Sequence, residues 1–159
     1  MTYDFKSRVK RSIEMRAMAS RNNAEIDAII REFALQISDA TDGHVIVEIA
    51  ALYEIGGHVT REPGESAERL LTFEAIVANT AINEEERDDS DQILAELIRG
   101  TLGYPCTILC ESYEFQCSDG KGLAEAMGQM IDLPATGEIL YRLQNPQTDR
   151  PLGPSRRPL

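Results

Sequence analysis

The side chains that could do chemistry in this chain fall into three small groups: three cysteines, two histidines and one dense acidic run. Cys106, Cys110 and Cys117 crowd into a single segment. Zinc would ask for a four-ligand set of cysteine and histidine, and no CxxC pair and no neighbouring histidine supplies one. A secreted disulfide framework would show an even number of dispersed cysteines. The expectation is therefore buried or half-buried thiols on one strand, with a structural role. His44 and His58 flank the segment between them. A tight turn at Gly56-Gly57 would leave them at opposite ends of a hairpin arm, not in one metal shell. A Cys–His nucleophile pair would depend wholly on the fold to bring the two together.

The acidic run is NEEERDDSDQI, residues 83–93, with six acids and one arginine. A calcium loop wants acids at alternate positions, a central glycine and a glutamate at its twelfth position. No glycine lies between Asn83 and Gln92. A solvated loop leading into a capped helix accounts for the acids, with Ser90 or Asp89 as N-cap and Asp91 favoured by the helix dipole. The same acids, Glu84, Glu85, Glu86, Asp88 and Asp89, are the candidate contacts for a partner. Ser118-Asp119-Gly120-Lys121-Gly122 lacks the phosphate-loop pattern GxxxxGK[ST] and reads as a strand-to-helix turn. No HExxH, GxSxG or dinucleotide-binding glycine fingerprint occurs. Carboxylates are too numerous for any pair to stand out as acid and base. No catalytic residue, metal ligand or cofactor is expected, and the chain reads as a non-enzyme.

Charge is unevenly placed in the 159 residues, whose formal net charge is −11. Residues 1–22 carry Lys6, Arg8, Lys10, Arg11, Arg16 and Arg21 against Asp4 and Glu14. Ten bases then face twenty-five acids in the remainder, which holds about −15. So acidic a body repels a phosphate backbone, which argues against generic nucleic-acid binding by the main domain. The basic N-terminal segment could meet nucleic acid, a membrane surface or an acidic neighbour. The plainer expectation is a solvated helix lying over the acidic body. No apolar run approaches the roughly 20 residues of a membrane span, and the basic start lacks the apolar core of a signal peptide. Cytoplasmic synthesis without export is expected.

These residues must be positioned by an α+β arrangement of two N-terminal helices and a mainly antiparallel sheet of about four strands, covered by a helix. Phe5, Val9, Ile13 and Ala17 predict a first helix over 4–19, which Ser20-Arg21-Asn22-Asn23 would break. Asn22 or Asn23 would cap a second helix carrying Ile26, Ile29, Ile30, Phe33 and Ile37, ending before Asp42-Gly43. HVIVEIAALYEI (44–55) alternates as a strand, although its second half is also good helix material. The polar 58–68 stretch reads as a loop or weak hairpin arm, and 69–80 as a strand antiparallel to the first. Ile93, Leu94, Leu97 and Ile98 predict a helix over 90–102. Segment 106–117 reads as a third strand, 123–131 as helical, and GEILYRLQ (137–144) as the closing strand. Residues 1–144 would form a single domain. The four prolines after Asn145 predict an extended or disordered tail over 145–159.

In that order of elements the chain resembles the tail-terminator proteins of tailed phages and phage-like tail particles. The resemblance rests on HVIVEIAALYE, PGESAERLLTFEAIVANT, the acid-rich DDSDQILAELIRGTL helix, CESYEF and GEILYRLQ, and covers roughly 43–144. Two N-terminal helices and the helical reading at 123–131 depart from the family pattern. The resemblance implies a structural virion assembly protein, a homo-oligomer forming a hexameric ring. Such a ring caps the tail tube, joins tail-tube protein to head-connector proteins and passes DNA through its channel. It would locate to the virion tail. The competing expectation is a small acidic inhibitor, immunity or adaptor protein that binds a basic partner in the cytoplasm. A DNA-binding regulator using the basic first helix ranks last, for want of helix-turn-helix spacing.

Overall fold

The computed structural model describes residues 2–55, 57–61, 71–80 and 91–145. The first element, α1, is a single helix, Phe5–Ala40, of 36 residues. The expected break at Ser20–Asn23 is absent. Asparagines interrupt a helix when their side chains compete for nearby backbone groups. Here Asn22 Nδ2 donates to the Leu102 carbonyl across 2.8 Å, and Asn23 Nδ2 donates back to the Ala19 carbonyl at 2.9 Å. With both side chains engaged, the helix runs on. Thr41 ends it: its hydroxyl donates to the Ile37 carbonyl and accepts from the Val45 amide, and Asp42 and Gly43 take left-handed φ of 53° and 77°.

Six strands follow: β1 Val45–Ile55, β2 His58–Thr60, β3 Leu71–Thr80, β4 Gln92–Gly100, β5 Gly103–Cys110 and β6 Tyr113–Cys117. They form one sheet in the order β2-β1-β3-β4-β5-β6, antiparallel at every junction. Two helices close the described chain, α2 Gly120–Ile131 and α3 Pro134–Gln144. The α+β class and the antiparallel pairing of 45–55 with 71–80 agree with the sequence reading. The four-strand sheet under a covering helix does not.

Three differences have local physical causes. The segment expected as a helix over 90–102 is β4, a central strand. Between Ile76 and Val77 the β3–β4 register slips so that Ala95 and Ile93 become successive partners and Leu94 is extra. That bulge puts Leu94 in the same core as Ala95 and Leu97. Apolar residues at 93, 94, 97 and 98 thereby mimic helical spacing while lying on a strand. The expected third strand, 106–117, is a hairpin of β5 and β6, folded at Glu111 with φ 55°. The expected closing strand is α3. Pro134, which reads as a stop for the preceding helix, occupies the first turn of α3, where a missing N–H costs nothing. Thr136 and Leu143 are buried there and Ile139 and Leu140 pack on the core, a 3–4 spacing that prevails over the alternation of 139, 141 and 143.

The core lies on one face of the sheet. Ile26, Ile30, Phe33 and Ile37 of α1 meet Val45, Val47, Ile76, Ala78, Leu97 and Ile108, while Leu123, Met127 and Met130 of α2 fill the β5–β6 end. Ala50, Leu52, Ala75 and Val77 form a second buried cluster with Phe73 on the opposite face. Among the described residues no helix is long and apolar enough to cross a membrane.

Candidate interaction site

The acids Glu84, Glu85, Glu86, Asp88 and Asp89 lie outside the described residues. Their neighbour Asp91 is described and is not a helix start. It accepts from Arg61 Nε and, at 3.0 Å, from Arg61 Nη2; Asn79 Nδ2 adds a bond of 2.8 Å. Arg61 also pairs with Glu48 at 2.7 Å, tying the end of β2 to β1 and to the start of β4. The Asp91 carboxylate, more than burial, governs Arg61, and the guanidinium is held more firmly charged than usual.

The thiols are all free and buried. Cys106 and Cys110 lie on β5 and Cys117 on β6, with Cys106 and Cys117 directly opposed in the register. Burial raises the pKa of each, that of Cys117 to about 11. A thiol is nucleophilic only as thiolate, so these three are quenched at neutral pH. His44 Nδ1 sits 2.7 Å from the Thr41 carbonyl just before β1. His58 pairs with Ile55 at the far end of β1, on the order of 35 Å away along an extended strand. Neither histidine is near a cysteine in the sheet order. No group of three histidine, cysteine, aspartate or glutamate residues among those described could hold a metal ion.

A groove of about 400 Å³ runs between α1 and the sheet, with Ile30, Ala34, Val47 and Ile49 as floor and Asp27, Arg31, Glu74 and Arg99 as rim. Its charged groups are mostly spoken for. Arg99 Nε donates to Glu74 Oε2 at 2.8 Å, and its Nη2 donates to Asp27 Oδ1 at 2.6 Å and to Glu74 Oε1 at 3.2 Å. A further bond reaches the Asn23 side-chain oxygen at 3.2 Å. Burial alone would lower the Arg99 pKa; the bonds to Glu74 and Asp27 more than reverse this, and the net direction is upward. This network clamps α1 to β3 and β4. It leaves neither carboxylate poised as a free base.

What remains without a described partner is the first half of α1. Every residue from Thr2 to Met18 is exposed, and the first buried position is Ala19. A helix of 36 residues is about 54 Å long, and the stretch before Ala19 projects by roughly 20 Å. The projection is amphipathic. Phe5, Val9 and Ile13, four apart, stay 65%, 56% and 64% exposed. Tyr3 stacks on Phe5 with ring centroids 5.8 Å apart. At 3.6 residues per turn this stripe is rotated by roughly a quarter turn from the Ile26–Ile37 packing stripe, so it is a separate face. Lys6, Lys10 and Arg16 stand beside it. Asp4 caps the projection by accepting from the Ser7 amide at 3.0 Å. The expected helix lying over the acidic body is thus not found. The sequence already contained the stripe and the basic residues; their separation from the body is new.

Fold and site together define an antiparallel-sheet α+β protein whose first helix extends beyond its domain as a basic amphipathic arm. Comparison of the chain with protein-family models, curated proteins and solved structures yields no match to any of them.

Proposed function

We propose that this protein is a structural assembly protein, and that the basic helical arm is the part through which it joins its neighbours. One observation carries the reading: an apolar, positively charged helical stripe is held in solvent by a domain that is itself strongly acidic. Exposing Phe5, Val9 and Ile13 in line forgoes burial worth about 1.5–3 kcal/mol for each side chain, which a partner surface would recover. The finer form of the proposal is a ring in the virion tail that caps the tail tube and meets the head connector. The strand-helix-strand order that suggested it is replaced by a six-strand sheet, so its remaining support is the acidic body, suited to a channel that does not retain DNA.

Light scattering coupled to size-exclusion chromatography, followed by negative-stain microscopy, tests both levels. Assembly across the micromolar range, lost when residues 2–18 are removed, is the expected result. A chain that stays monomeric throughout overturns the assembly reading. Open chains instead of closed rings overturn the tail-terminator form, because ring closure needs a head-to-tail interface whose rotation closes.

A further inference from the structure

We infer that the arm of one copy docks on a second copy at the β4–β6 strip of the sheet face opposite α1, the strip that carries Ile93, Ile98, Glu96 and Glu114. The inference rests on the assembly reading above and names the surface it requires. The register fixes which residues share that face. Glu96 opposes Ala75 and Leu109, and Leu109 opposes Glu114; Ile93 opposes Val77 and Ile98 opposes Thr107. Their neighbours in the pleat, Leu97 and Ile108, point the other way into the helix-covered core. The described helices pack on the Leu97 side; on the Glu96 side Ile93 and Ile98 are exposed, while their neighbours Ala75 and Val77 are buried. Glu96 and Glu114 stand two strands apart in one row, about 10 Å.

The two surfaces complement each other. An apolar stripe bordered by Lys6 and Lys10 meets two exposed isoleucines bordered by Glu96 and Glu114. The arm cannot reach this face within its own chain. α1 contains no proline or glycine, and residues 19–40 of the same helix are fixed across the opposite face of the sheet. A second copy is therefore required. Two arms packing on each other would set like charges side by side, which disfavours that pairing, whereas arm on body brings +4 to −15. An anionic lipid surface would suit the arm and repel the body.

The test uses the full chain and its self-association constant from analytical ultracentrifugation. Lys6→Glu with Lys10→Glu, and separately Glu96→Lys with Glu114→Lys, should each weaken association by about tenfold to a hundredfold, and added salt should weaken the wild type. All four positions are at least partly exposed, and unchanged circular dichroism and melting identify variants that still fold. Mixing the two variants, or combining all four substitutions, should restore association. Arm dependence without any effect of Glu96→Lys/Glu114→Lys, or without rescue, overturns the docking surface and leaves the assembly reading standing. A monomeric wild type overturns both. Binding of a monomer to vesicles of anionic phospholipid through the arm overturns the docking in favour of a membrane.

Discussion

Arg99→Met removes the clamp between α1 and the sheet while keeping most of the side chain's apolar length. Stripping one member from a fully buried ion pair costs about 3–5 kcal/mol, since the partner is left charged and unpaired. Hydrogen bonds to charged groups contribute about 1.5–3 kcal/mol each. The Arg99 side chain is only 18% exposed, yet Asp27 and Glu74 keep 47% and 40% of theirs in contact with solvent. Water can therefore take over at both carboxylates, and screening discounts the loss to about 2 kcal/mol. For a chain of this size that is a fall in Tm of roughly 4–8 °C. Urea denaturation followed by circular dichroism should show a lower midpoint at unchanged slope. Adding Asp27→Asn and Glu74→Gln should recover about half the loss, because the bare carboxylates go with the arginine. A loss below about 0.5 kcal/mol for Arg99→Met would refute the claim that this network holds the helix to the sheet.

Gly103→Ala is expected to cost about 2 kcal/mol or more by the same measurement. Its φ of 85° is left-handed, and an added Cβ would lie 2.8 Å from Asn22 Cβ, against the helix that the β4–β5 turn supports. The three cysteines should resist iodoacetamide at neutral pH in the native chain and react fully in denaturant. At a pKa of about 11 the Cys117 thiolate fraction at pH 7 is on the order of one in ten thousand. The Asp4 carboxylate is held below its ordinary value of 3.8 by its hydrogen bonds with Ser7. A depressed folded-state pKa means the cap stabilises the arm fully above that ordinary value. The effect is lost as pH falls through the lower folded-state pKa. Amide protection in the first turn of α1, taken relative to the intrinsic exchange rate at each pH, should fall over that acid range, and Asp4→Ala should abolish the dependence.

By itself, the sequence indicated the α+β class, strands over 44–55 and 69–80 and a helical run at 123–131, and it showed the apolar stripe and the basic residues of the first helix. At 44–55 the alternation outweighed the helical character of the second half, and at 123–131 the apolar spacing was that of a helix. The tertiary structure decided whether Asn22 and Asn23 break a helix, since the Asn22 amide donates to Leu102 and the Asn23 side-chain oxygen accepts from Arg99, partners that only the folded chain supplies. It also decided the nature of 92–100, where one bulged residue, Leu94, turns a strand's alternation into apparent helical spacing. At 134–144 two periods coexisted, and packing on the core selected the helical one. The arm's isolation from its own acidic domain was likewise invisible beforehand. It follows from where residues 19–40 are anchored, and an unbroken helix has no means of bending its first half back to the charge it complements.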